Sequence, residues 1–296
     1  MGLGIAAVKL NLELWQRSFF KNIKSVDIGS QELHLKQADF EELIRVAGVT
    51  TYKKENFTPL ANWPGQPRCS SKPFYEMLGV ENYACIDLGR EHGAIPLDLN
   101  LPLEDSSLYG QYDLVTDHGC NEHAFNIAEA YRTMHRLCKL QGLMIIVQSV
   151  WRGNGYYLFD KSFFEGIAAA NNYKILFSSY IVTTNTPTSA GSENEFHIPL
   201  SHELLDVIDW AKVLFIGICY VLQKQADSDF KYPYQGEYLS RIQGHHGYEI
   251  QFLPNPPSRT YVPLRESVLE VTQVKVLINE VIRKIIRRIK SYFVKR

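Results

Sequence analysis

The chain has 296 residues, of which 45% are hydrophobic and 21% charged, and its formal net charge is −1. That balance suits one large globular domain, or one domain with an insertion and tails. It excludes disordered and fibrous classes and leaves no overall basic field to hold nucleic acid. Five cysteines (Cys69, Cys85, Cys120, Cys138 and Cys219) are scattered without C-x-x-C spacing. This pattern points to free thiols in a reducing compartment and to no metal centre. Residues 1–14 are apolar only briefly and carry Lys9 and Glu13, so they read as neither a signal peptide nor a membrane span, and a cytoplasmic location is expected.

Residues 5–20 read as a helix, with Ile5, Val8, Leu12 and Trp15 at helical spacing. Residues 25–29 read as a short buried strand running into a turn, and residues 36–47 as a helix with Phe40, Leu43, Ile44 and Ala47 on one face. Residues 48–72, rich in Pro, Asn, Gly and Ser, read as an insertion or lid. A short helix at 73–78 leads to a strand at 83–87, followed by strands at 95–99 and 112–116. Next come a helix at about 122–138, a strand at 143–148, a helix at 161–170 and a strand at 174–182. Residues 183–199 read as a polar loop, Ser201 as the cap of a helix reaching about Trp210, and residues 213–222 as the last core strand. Strands alternating with helices predict a parallel sheet covered on both faces.

Residues 225–263 show no clear periodicity, and the adjacent His245 and His246 suit a turn better than a metal pair, since neighbours on a strand face opposite ways. From about Leu264 the chain reads as one long helix. Ile278, Val281, Ile282, Ile285, Ile289 and Phe293 line one side of it, against Arg283, Lys284, Arg287, Arg288 and Lys290 on the other. Packing on the core or on a protein partner is the favoured reading, with a peripheral membrane contact as the sharper one. The expected organisation is an N-terminal helix (1–23), a core (24–223) and a C-terminal extension (224–296), with homo-oligomerisation left open.

Open α/β sheets bind ligands at the carboxyl ends of their strands. There the sequence sets Asp27-Ile28-Gly29-Ser30-Gln31, then Asp87-Leu88, then Asp98-Leu99-Asn100, then Asp117-His118-Gly119 with Glu122-His123. A glycine in the first turn permits close backbone approach to a ligand, and a carboxylate can accept both hydroxyls of a ribose. The segment Tyr112-Asp113-Leu114-Val115-Thr116-Asp117 continues to Glu122-His123 and then to Lys139-Leu140-Gln141-Gly142-Leu143. Together these residues resemble the class I S-adenosylmethionine-dependent methyltransferases over roughly residues 24–223.

The resemblance implies a Rossmann-like α/β fold: a mostly parallel seven-stranded sheet, its last strand antiparallel, with helices on both faces. It also implies S-adenosyl-L-methionine as cofactor. The cofactor contacts would fall on Asp27, Gly29, Ser30, Gln31, Asp87, Leu88, Asp98, Leu99, Asp117 and His118. The first loop departs from the family, which often has two or three glycines where this chain has Ser30, Gln31 and Glu32 after Gly29. His118 and His123 are the candidate bases, since imidazole titrates near neutral pH. Ser149, Trp151, Arg152, Tyr156 and Tyr157 follow the fifth core strand as candidate acceptor contacts, where aromatic planes and an arginine suit a planar, sugar-like or carboxylate-bearing molecule. The expected activity is methyl transfer to oxygen or nitrogen of a small molecule or glycan precursor. The alternatives are a non-catalytic methyltransferase-like scaffold and a nicotinamide-dependent oxidoreductase; the missing G-x-G-x-x-G counts against the latter.

Overall fold

The computed structural model describes residues 2–57, 60, 68–201, 205 and 210–234. The helix expected after Ser201 falls mostly outside them, and His245, His246 and the C-terminal amphipathic helix fall wholly outside them. In chain order the elements are β1 (Gly2–Leu3), α1 (Ile5–Gln16), β2 (Ile23–Ile28), β3 (Glu32–Leu33), α2 (Gln37–Ala47), α3 (Lys72–Met77) and β4 (Val80–Ile86). They continue with β5 (Tyr112–His118), α4 (Ile127–Leu137), β6 (Cys138–Trp151), α5 (Lys161–Ala170), β7 (Tyr173–Thr184), β8 (Asn194–Ile198) and β9 (Val213–Lys224).

Seven strands form one sheet in the order β4-β2-β5-β6-β9-β7-β8. β4, β2, β5 and β6 run parallel, and β9 is antiparallel to both β6 and β7, so β7 returns to the common direction. This is the expected Rossmann-like fold, antiparallel last strand included. Two details differ. The strand expected at 95–99 reduces to a single bridge from Ile95 to Ile86, because Pro96 follows at once and has no N–H to extend the ladder. The seventh strand is instead β8, antiparallel to β7, inside the stretch read as a polar loop.

Both faces of the sheet are covered, so its central strands are apolar nearly throughout. Leu114, Leu143 and Ile145 face α1, α2 and α3, while Val26, Ile28, Val115, Met144 and Ile146 face α4 and α5. Of the segment expected as an insertion or lid, Phe57, Leu60 and Cys69 are buried in the first of these cores, and Phe57 packs 5.0 Å from Phe40. Gly48 ends α2 in the left-handed region (φ 80°), with its N–H on the carbonyl of Arg45. The helix expected from 122 begins five residues later. Asn126 caps it, its side chain accepting from the N–H of Glu129, and residues 121–123 form a separate single turn. Among the described residues no helix is long and apolar enough to cross a membrane.

Candidate functional site

The chain leaves β2 for β4 on one side and later places β5 on the other, so strand order reverses at β2. The crevice at the carboxyl ends of β2, β4 and β5 is therefore where this topology places a ligand. The turn after β2 is tight. The N–H of Gly29 donates to the carbonyl of Ile86 at 2.7 Å, and Gly29 sits at φ 84°, where a side chain is strained. A Cβ there would lie 2.9 Å from Cys120 Sγ and 3.0 Å from Gln31 Nε2, so the two loops already approach closely. Gln31 is buried and folds back to donate to the carbonyl of Ile28 at 2.6 Å.

Asp87 follows β4 and ties the two loops together. One carboxylate oxygen accepts from the N–H of Ser30 at 2.9 Å and the other from the N–H of Gly89 at 2.7 Å. Leu88 beside it is exposed. Asp98 is half-buried and accepts both the N–H and the side-chain amide of Asn100; the backbone bond is the larger of the two effects that hold its pKa below the ordinary value. Leu99 is partly buried against the core under α4 and α5.

Asp27 does not reach this crevice. It is fully buried and accepts hydrogen bonds from Ser71 at 2.5 Å, Tyr83 at 2.9 Å and Thr116. Burial pushes its pKa up to about 6 against the lowering effect of those hydroxyls. Three side-chain hydroxyls from the segment before α3, from β4 and from β5 thus already take up the carboxylate expected as a cofactor contact. Ser149 is fully buried, and its N–H and hydroxyl both donate to Glu122 at 2.7 Å. Tyr157 uses its hydroxyl to tie down the carbonyl of Phe125 at 2.6 Å.

Asp117 and His118 are the last two residues of β5, and both are buried. Asp117 accepts from the N–H groups of Cys120 and Asn121 and from the Gln148 amide. Burial raises its pKa to about 7. For His118, burial depresses the pKa to about 3, and neither ring nitrogen has a partner among the described residues. An imidazole so held is neutral and nearly out of contact with solvent. His123 is the exposed one of the two candidates, with 45% of its side chain accessible. Burial raises the pKa of the Cys120 thiol far above its ordinary value, so it is inert as a nucleophile.

These shifts fix a pH dependence. Unfolded, Asp117 titrates near its ordinary value of roughly 3.9. Between there and about 7 the folded state keeps a proton that the unfolded state releases, so stability is full at low pH and falls as pH rises through that window. His118 acts oppositely, losing stability as pH falls from its ordinary value toward 3. The two slopes oppose each other in mild acid, and near neutrality Asp117 remains, together with Glu195, which burial also raises to about 7. Wild-type protein is expected to lose about 1 kcal/mol from Asp117 between about pH 6 and 8. Asp117→Asn, which Gln148 can face by rotating its amide, is expected to abolish that component. Urea unfolding at three pH values checks this, and an unchanged slope would exclude Asp117 as its source.

The carboxyl edge also presents residues that the sequence reading passed over. Asn126 bonds Asn100 through both its N–H and its side-chain amide, and the N–H of Tyr156 donates to the carbonyl of Glu122 at 2.8 Å. The loops after Ile95, β5 and β6 are thereby stitched together; Phe125 stands exposed against Tyr156, and Leu101 and Leu158 are exposed on the same loops. Trp151 packs edge-on against Trp210 at 5.1 Å, and the Arg152 guanidinium lies 4.2 Å over the Trp151 ring.

No protein-family model matches the chain, and no curated protein matches it. Among solved structures it is similar to the 1,6-didemethyltoxoflavin-N1-methyltransferase of Burkholderia thailandensis, determined with 1,6-didemethyltoxoflavin and S-adenosylhomocysteine bound. Identity is 11% and TM-score 0.39, over 74% of this chain and 79% of that one. It is also similar to a SAM-dependent methyltransferase from Archaeoglobus fulgidus, at 13% identity and TM-score 0.38, over 73% and 93% of the respective chains.

Proposed function

We propose that the protein is an S-adenosylmethionine-dependent methyltransferase that binds its cofactor across the carboxyl ends of β2, β4 and β5. One observation carries the reading: His118, at the strand-order reversal, is 2% exposed and has two ring nitrogens without partners. An unpartnered buried polar group costs about 1–3 kcal/mol, and one retained at the ligand-binding edge of this topology calls for a ligand's polar groups. The buried Gln31 Oε1 nearby is likewise without a partner among the described residues. A neutral imidazole offers one donor and one acceptor, which suits an amino-acid moiety.

The other residues fit the same group. Each Asp87 oxygen accepts one backbone N–H and keeps capacity for a ribose hydroxyl. Leu88 offers an apolar face to a base. When bound, the cofactor supplies a methyl group already activated on sulfur. What remains for the protein is to align an acceptor, exclude water and take up a proton, and His123 is the accessible candidate for that last step.

A second reading, a non-catalytic binding protein on the same fold, draws on Gly29. Its open side is already filled by Cys120 and Gln31, and Asp27 is occupied internally. Calorimetric titration with S-adenosylhomocysteine separates the two. Wild-type protein is expected to bind it and to ignore NADH. His118→Leu is expected to weaken binding by roughly tenfold or more without lowering the melting temperature, because it removes an unpaired polar group from an apolar site. No binding by wild type would favour the scaffold reading. Full affinity in the folded variant would remove His118 from the site.

A further inference from the structure

The loop after β4 begins at Asp87 and Leu88 and returns at Ile95, whose carbonyl accepts the N–H of Asp87 at 3.1 Å. Between them Arg90 and His92 stand in the left-handed region, at φ 57° and 55°, where a side chain is strained. Two such residues in one short turn hold these angles only where contacts outside the turn fix them. The first loop supplies those contacts. The Ser30 hydroxyl donates to the Glu91 carbonyl at 2.9 Å, and Glu32 Oε1 accepts from His92 Nε2 at 2.9 Å. Ser30 and Glu32 are two of the positions at which this loop departs from the glycine-rich family pattern.

The Glu32 carboxylate is itself firmly placed. The residue is 3% exposed, and its strand β3 pairs with β1 and bridges to Ser70. Its second oxygen faces Arg68 Nε at 3.1 Å and His34 Nε2 at 3.6 Å. Burial depresses the His34 pKa to about 4, so Arg68 is the cation that balances the carboxylate. Arg68 also reaches Glu91 at 3.6 Å, a further hold on the same loop. Toward His92 the carboxylate only accepts, so Nε2 carries the proton.

We propose, resting on the reading of Asp87 as the ribose acceptor, that Glu32 is a positioning residue for the cofactor: from β3 it holds His92, and through the 88–94 loop it keeps the Asp87 carboxylate turned to the ribose. Each Asp87 oxygen already accepts one N–H, from Ser30 or from Gly89, so a ribose must meet the remaining lone pairs from a fixed direction. A loop free to turn between Gly89 and Gly93 draws the Gly89 N–H away from the carboxylate, and that direction is lost. Glu32 touches no ligand; its effect passes through Asp87.

Full-length protein is titrated with S-adenosylhomocysteine and with its 2′,3′-dideoxy analogue, which lacks both ribose hydroxyls. Glu32→Gln turns an amide N–H toward one of the donors that the carboxylate now accepts. His92→Gly removes the imidazole together with the left-handed strain, so this variant folds without a steric cost. Each is expected to weaken S-adenosylhomocysteine roughly five- to tenfold and to leave the dideoxy analogue within about twofold of wild type. Added to Asp87→Ala, neither is expected to weaken binding by more than about a further twofold, since both act through the carboxylate already removed. In ligand-free protein the Gly89 amide is expected to exchange with solvent roughly threefold faster or more in both variants. The proposal is overturned if the variants bind S-adenosylhomocysteine like wild type, or if they lose the two ligands equally. It is also overturned if their losses add in full to that of Asp87→Ala, or if Gly89 exchange is unchanged. Faster Gly89 exchange in both variants, with no binding of S-adenosylhomocysteine by wild type, would uphold the hold of Glu32 on the loop and sink the cofactor reading separately.

Discussion

Asp27→Ala is expected to lower the unfolding free energy by about 3–5 kcal/mol, the largest stability loss of any single change at the sheet's centre. The carboxylate is fully buried and is the common acceptor for Ser71, Tyr83 and Thr116, which come from the segment before α3, from β4 and from β5. Alanine leaves three hydroxyls without that acceptor and opens a cavity between three strands. Asp27→Asn keeps the shape and one acceptor, so it should lose much less. Its standing relative to wild type should improve as pH rises from 4 to 6, because the native carboxyl, raised to about 6, is disfavoured as an anion over that range. Equilibrium urea unfolding of both variants measures this. A loss under about 1 kcal/mol for the alanine variant would mean that the network contributes little.

Asp87→Ala is expected to weaken S-adenosylhomocysteine binding roughly ten- to a hundredfold, since it removes an acceptor for ribose and releases Ser30 from Gly89 together. Asp87 is only half-buried, so the melting temperature should move little. Asp87→Asn retains an acceptor for one loop and should fall between the two. Calorimetry on the folded variants decides the matter. Undiminished affinity in the alanine variant would relocate the ribose and, with it, the whole cofactor pose.

The order and type of the core elements were legible because buried parallel strands are continuous apolar runs separated by amphipathic helices, as at Tyr112–His118 and Ile127–Leu137. β8 was hidden for a physical reason. Its inward side chains include Glu195 and His197, which bond the backbone of α1 instead of filling a core, so the strand carries loop-like composition. The onset of α4 could have been read better, since Asn126 and Glu129 have the spacing of a helix cap.

At the candidate site the acids ending β2, β4 and β5 were visible as strand-end residues, but their roles diverge on contacts that sequence distance conceals. Asp27 meets Ser71 from 44 positions away and is enclosed by that contact. Asp87 meets Ser30 across 57 positions and stays at the edge. Phe125 gave no signal, because a single aromatic in a polar loop has no periodicity to mark it.

The grip of β8 on α1 also bears on the order in which the molecule folds. α1 buries Ile5, Ala6, Val8, Leu10, Leu12 and Leu14, and its first turn is held by Glu195 accepting from the N–H of Ala6 at 2.9 Å and by His197 at 2.9 Å from the carbonyl of Ala6. Those partners lie 189 and 191 residues downstream. Those two bonds to the first turn of α1 therefore close only once β8 is in place, although the apolar side chains of α1 share a core with the nearby α2 and α3. Contacts of such long range close late and slow the search for the native topology. The grip of β8 on the first turn of α1 should accordingly be among the last contacts of the sheet to form.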